Sequence, residues 1–151
     1  MKNILIIILI LLSKITYSQD FDYIKKLDTI YIPFQKGKYN LKIDYPEEKD
    51  GFKNRSYIFN YKKKDAHYFD FELKKTSNRA LDFKMVDKLY LRKVRKKTVP
   101  INNLKRFNYQ DIQCELFTRI KTYYIIDLSE KRNKKYTIYK VMHINSCSYK
   151  E

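Results

Sequence analysis

Two histidines, two cysteines and three runs of lysine and arginine are the residues of this chain whose types could carry chemistry. His67 and His143, helped by a lysine, could supply the base and the acid of a small hydrolase or nuclease. That scheme requires both rings to converge on one phosphate site. His67 shares a strand phase with Phe69 and Phe71, which favours a packed position, whereas His143 alternates against Met142 and Ile144 and is expected to face solvent. Nothing in the spacing brings the two together, so this is the weakest of three functional readings.

A metal centre is not expected either. Asp65, His67, Asp70 and Glu72 are close in sequence, but on a strand His67 points away from Asp70 and Glu72. His143 and Cys147 make one His and one Cys, well short of a structural zinc set. With only two glycines there is no phosphate-binding loop, and no G-x-S-x-G, H-E-x-x-H or C-x-x-C occurs. No cofactor is implied, and no stretch carries the signature of a known family.

The basic runs are KKK at 62–64, LRKVRKK at 91–97 and KRNKK at 131–135. Arg92, Lys93, Arg95, Lys96 and Lys97 form the densest, a weak candidate for binding phosphates or anionic glycans. The formal charge of +16 suits such a role. Drift toward A/T-rich codons competes as an explanation, because Lys (26 residues), Ile (18) and Tyr (15) are all abundant while Gly and Trp are scarce. The charge alone therefore argues for attraction to anionic surfaces, not for a specific nucleic-acid partner.

Location decides how the cysteines are read. Lys2 precedes an unbroken aliphatic run, Ile4 to Leu12, that Ser13 and Lys14 interrupt. As a helix it would rise about 13 Å, against a bilayer core of about 30 Å. Thr16-Tyr17-Ser18 places small residues where a signal peptidase requires them, so residues 1–18 are expected to be a secretory signal cleaved between Ser18 and Gln19. Residues 19–151 then form one exported domain, periplasmic or extracellular, with no transmembrane segment after processing. In an oxidising compartment Cys114 and Cys147 are expected to pair.

The elements that must position these residues are mostly strands. Apolar residues alternate at Ile30/Ile32/Phe34, Tyr39 to Tyr45, Tyr57/Phe59/Tyr61, His67 to Leu73, Leu81/Phe83/Met85, Tyr124/Ile126/Leu128 and Tyr136/Ile138. Short polar turns between them predict an antiparallel meander up to Met85, and a final hairpin of 121–128 with 136–144 around Ser129 to Lys135. Val86 to Val94 reads as a further strand. Between 102 and 120 the period becomes helical, with Leu104, Phe107, Ile112, Leu116 and Ile120 on one stripe and Asn108 as an N-cap. The expected fold is α+β: a mainly antiparallel sheet of about seven strands with a short helical insertion near 102–120.

Tyr23, Tyr31, Tyr68, Tyr90 and Tyr123 fall off the apolar phase and are expected at the surface, where tyrosine among lysines suits a protein interface. The reading with most support is a small, non-catalytic, monomeric interaction module, inhibitor- or immunity-like in scale. Its partner is a protein or an envelope component. The alternative is a basic protein that binds polyanions or the envelope surface through residues 92–97.

Overall fold

Strand alternation becomes a curled sheet. The structure is a computed structural model that describes residues 21–45, 54–60, 65–72, 82–118, 120–144 and 147. The expected signal segment, its Ser18–Gln19 junction and the KKK run at 62–64 lie outside the described residues. The strands are β1 (Thr29–Phe34), β2 (Asn40–Asp44), β3 (Asn54–Asn60), β4 (Ala66–Glu72), β5 (Phe83–Val86), β6 (Thr122–Arg132) and β7 (Lys135–His143). They form one seven-stranded sheet in the order β1-β6-β7-β4-β3-β2, with β5 also paired to β7.

The sheet is mixed, not purely antiparallel. β1 runs parallel to β6, Ile30 opposite Tyr123 and Ile32 opposite Ile125, while β2-β3-β4 form the expected antiparallel meander. Alternation reports which face of a strand is buried, and it is silent on partner and direction. β1 tolerates Pro33 because it ends the sheet order. Its outer side is closed by a bridge from Tyr31 to Thr98 and by the Val99 amide donating to the Tyr31 carbonyl at 2.8 Å.

Curling brings the two ends of the sheet together. Phe34 of β1 packs edge-on against Tyr57 and Phe59 of β3, with ring centroids 4.9 and 5.5 Å apart. Ile30, Ile32, Phe59, Phe69 and Ile125 fill the main core, all buried. At one rim the curl is held by ions. Lys42 Nζ donates to Asp127 and Glu130, each at 2.9 Å, and Arg55 donates to Glu130 at 2.8 Å and to Asp44. Asp127 is fully buried and also accepts from the Tyr57 hydroxyl at 3.1 Å.

The other end is covered by helical turns. A first turn, α1 (Phe21–Lys25), buries Ile24. The insertion consists of α3 (Ile101–Leu104), α4 (Tyr109–Asp111) and a continuing π-type turn, Ile112–Leu116. Asn108 caps α4 by accepting from the Gln110 amide at 2.8 Å, as its position predicts. Leu104, Ile112 and Leu116 are buried, but Ile120 is 95% exposed and leaves the stripe, because the chain has already turned toward β6. Cys114 in the π-type turn and Cys147 after β7 form a disulfide, with Cα atoms 5.3 Å apart.

A second, smaller core lies on the opposite face of β6. Tyr31, Val86, Ile126 and Ile138 are buried there, with Tyr90, Leu91 and Val94 packed against them. These last three belong to or adjoin α2 (Lys88–Lys93), so Val86 to Val94 is not one strand. β5 stops at Val86 because Asp87 accepts from the Tyr90 amide at 2.8 Å and starts the helix. This second core also corrects the tyrosine reading. Tyr31 of β1 is buried in it, Tyr90 is half-buried against it and Tyr123 of β6 is buried in the main core, whereas Tyr23 and Tyr68 are exposed as expected.

Candidate functional site

Helical spacing gathers the first half of the site. Lys88, Leu91, Arg92 and Arg95 stand at i, i+3, i+4 and i+7, one face of α2 and of the 3₁₀ turn Arg95–Lys97 that follows it. The second half comes from the β6–β7 hairpin, which turns through Asn133 and Lys134. Both residues have positive φ, 47° and 61°. A two-residue turn with both central residues left-handed matches the twist of its strands. Asn suits that conformation, and a glycine would ordinarily follow it. Here a lysine occupies the second position.

Together the two elements enclose a groove of about 610 Å³ lined by Lys88, Leu91, Arg92, Arg95, Lys131, Lys134 and Tyr136. Five cations surround two apolar groups, and no carboxylate is among the described residues that line the groove. Lys131 also lies 5.5 Å above the Tyr136 ring, so that face of the ring is already occupied by a cation. The arrangement can hold anionic groups by charge and hydrogen bonds, with an apolar floor beneath them.

Of the five basic residues singled out from the sequence, Arg92 and Arg95 line this groove. Lys93, Lys96 and Lys97 are exposed beside it, and the Lys96 carbonyl accepts from Tyr23 at 3.3 Å. The run at 131–135 supplies Lys131 and Lys134. The signal for Lys88 is the helical period of 88, 91, 92 and 95, which a strand reading of that segment conceals, and Tyr136 reads from the sequence only as an alternating strand residue.

The histidines do converge, but inside the protein. His67 is fully buried and His143 is 8% exposed, with ring centroids 5.7 Å apart. His143 does not face solvent: it pairs with Phe69 across β4 and β7, in phase with Val141 on the core side. Its ring lies 4.8 Å from Phe69 and 4.6 Å from Phe117. Burial pulls the His67 pKa down to about 4, against a weaker opposing hydrogen bond to the Gln113 amide oxygen at 3.1 Å. Burial, then the neighbouring His67, pull His143 down to about 3. Both rings are therefore neutral near pH 7 and enclosed in the core, and neither lines the groove above or the smaller cavity beside β3 and β4.

The ionic rim is structural in the same sense. Burial alone would raise the Glu130 pKa, but hydrogen bonds from Tyr139 and Lys42 and the Arg55 charge hold it below the usual carboxylate value. Burial would lower Lys42, yet Asp127 and Glu130 raise it. Charges so fully paired on one another offer little to a substrate. Among the described residues no group of three His, Cys, Asp or Glu could hold a metal ion. A smaller cavity of about 280 Å³ opens beside β3 and β4, lined by Tyr45, Ser56, Asp70, Glu72, Met142 and neighbours. Ser56 there donates to Asp70 at 2.6 Å.

No family model, no curated protein and no solved structure matches this chain. Functional inference therefore rests on the groove and its surroundings. No helix among the described residues is long and apolar enough to cross a membrane.

Proposed function

We propose that the protein is an exported, non-catalytic binding module that engages a polyanion or an anionic envelope component through the groove between α2 and the β6–β7 turn. The observation that carries this reading is convergence. Two cationic runs far apart in the chain supply the walls of one concave surface without a carboxylate among them. Codon drift scatters lysines over a sequence and has no reason to assemble them around an apolar floor. The left-handed Lys134 adds to this, since a side chain is kept where the backbone favours none. Charge-lined grooves of this kind gain affinity and association rate at low salt and lose both as salt rises.

The test is binding of inorganic polyphosphate or heparin to the processed protein and to an Arg92→Glu/Lys134→Glu variant. Loss of at least tenfold in affinity with an unchanged urea midpoint supports the reading; equal affinity sinks it.

A second reading, protein recognition of the inhibitor or immunity type, is favoured by the side of the β2-β3-β4-β7 sheet that the described residues leave open. Leu41, Ile43, Tyr68 and Met142 are exposed there, beside the outermost strand β2. That face sets these apolar residues beside Ser56 and Asp70. Persistence of a protein complex at half-molar salt is its mark.

A further inference from the structure

Three exposed lysines and one exposed leucine sit beside the groove without lining it. Lys93, Lys96 and Lys97 are exposed, and Leu89 is 59% exposed although it lies on a helix whose other apolar residues pack inward. Leu89 stands three residues from Arg92 and four from Lys93, so it projects from the same shoulder as these cations. An isolated exposed leucine is ordinary on a protein surface. One that crowns a cationic shoulder next to an anion-binding groove with an apolar floor has the layout of a membrane-surface contact. There cations meet phosphates, and the apolar tip enters the boundary between headgroups and acyl chains.

Resting on the groove reading above, we propose that its ligand is the headgroup of a phosphate-bearing anionic lipid, approached as part of a membrane surface. The phosphate sits among Arg92, Arg95, Lys131 and Lys134. The first carbons of the lipid lie over Leu91, and Leu89 enters the interface. The groove volume falls within the roughly 300–1,000 Å³ typical of sites for one small ligand, which fits a headgroup better than a long run of polymer. Tyr136 already carries Lys131 on its ring, so base stacking, the usual aid to single-stranded nucleic acid, is poorly served here.

The experiment uses the processed protein with two probes: sedimentation with vesicles of phosphatidylcholine alone or mixed with phosphatidylglycerol, and binding of inorganic polyphosphate. The protein is expected to sediment with the mixed vesicles and not with phosphatidylcholine. Arg92→Glu/Lys134→Glu should weaken both vesicle and polyphosphate binding, by about fivefold or more per charge. Leu89→Ser should weaken vesicle binding about tenfold and leave polyphosphate binding unchanged. Vesicle binding that ignores Leu89→Ser, or is absent while polyphosphate still binds through the groove, overturns the lipid assignment alone. Polyphosphate binding that ignores Arg92→Glu/Lys134→Glu overturns the groove reading beneath it.

Discussion

The imidazoles of His67 and His143 lie 5.7 Å apart in the core, on adjacent strands, and burial holds both far below the ordinary histidine pKa. The pair therefore couples stability to acid. The unfolded chain binds these protons near pH 6.5, whereas the folded protein takes them only near pH 4 and pH 3. Between those values the unfolded state holds more protons, so stability falls as pH falls. At pH 5 the loss is about 2 kcal/mol per histidine. Urea midpoints at pH 7 and pH 5 measure it. His143→Phe, which fits the nest of Phe69 and Phe117, should remove roughly half the difference; an undiminished difference would contradict this account.

The Cys114–Cys147 bridge ties the π-type turn to the segment after β7, with 33 residues of sequence separation. Its removal should cost about 3–4 kcal/mol on the loop-entropy estimate. A Cys114→Ala/Cys147→Ala variant is expected to unfold at lower temperature under non-reducing conditions, and the parent should fall to match it when reduced. Insensitivity of the parent to reductant would show that the thiols are not bridged.

What could be read from the sequence follows from what alternation encodes. Phe69 and Phe71 are placed in the core by a period of two, and Asn108 announces its helix because a cap needs an oxygen at that one position. The pairing of β1 with β6 has no local signal, since it depends on which buried faces meet after the chain has closed. Tyr31 and Tyr123 illustrate a related limit. A strand covered on both faces has no polar phase, and the covering residues are distant in sequence: those of α2 and its flank over Tyr31, and Leu116 and Phe117 over Tyr123. Alternation against Met142 and Ile144 points His143 toward solvent only if those two are buried, and both are themselves exposed. The groove was half legible: its cations stand out in the sequence, but their meeting does not.

Asp127 and Lys42 offer a test of the ionic rim. Asp127 is fully buried, so taking away its nearer cation leaves the carboxylate with Arg55 at 4.0 Å as its remaining ion pair, in a poor medium for charge. Lys42→Met should destabilise by about 3 kcal/mol. In an Asp127→Ala background the same substitution should cost much less, because the stranded carboxylate is gone. A double-mutant cycle by urea unfolding measures this coupling, and additive losses would mean that the two residues contribute independently.

Lys134 separates backbone strain from ligand binding. At φ 61° a non-glycine residue costs roughly 1 kcal/mol or more relative to glycine. Lys134→Gly should therefore raise stability by about 1 kcal/mol while lowering affinity for polyphosphate, because the groove loses a cation as the turn relaxes. Lys134→Ala removes the same charge and keeps the strain, so it should match the glycine variant in binding and the parent in stability. Urea midpoints and polyphosphate titrations of the three proteins provide the comparison. A glycine variant that is more stable and binds equally well would strip Lys134 of any role in the groove. One that is no more stable would mean that the left-handed turn is already relaxed with lysine in place. Only gain of stability together with loss of binding fits a residue retained for its charge against the preference of its own backbone.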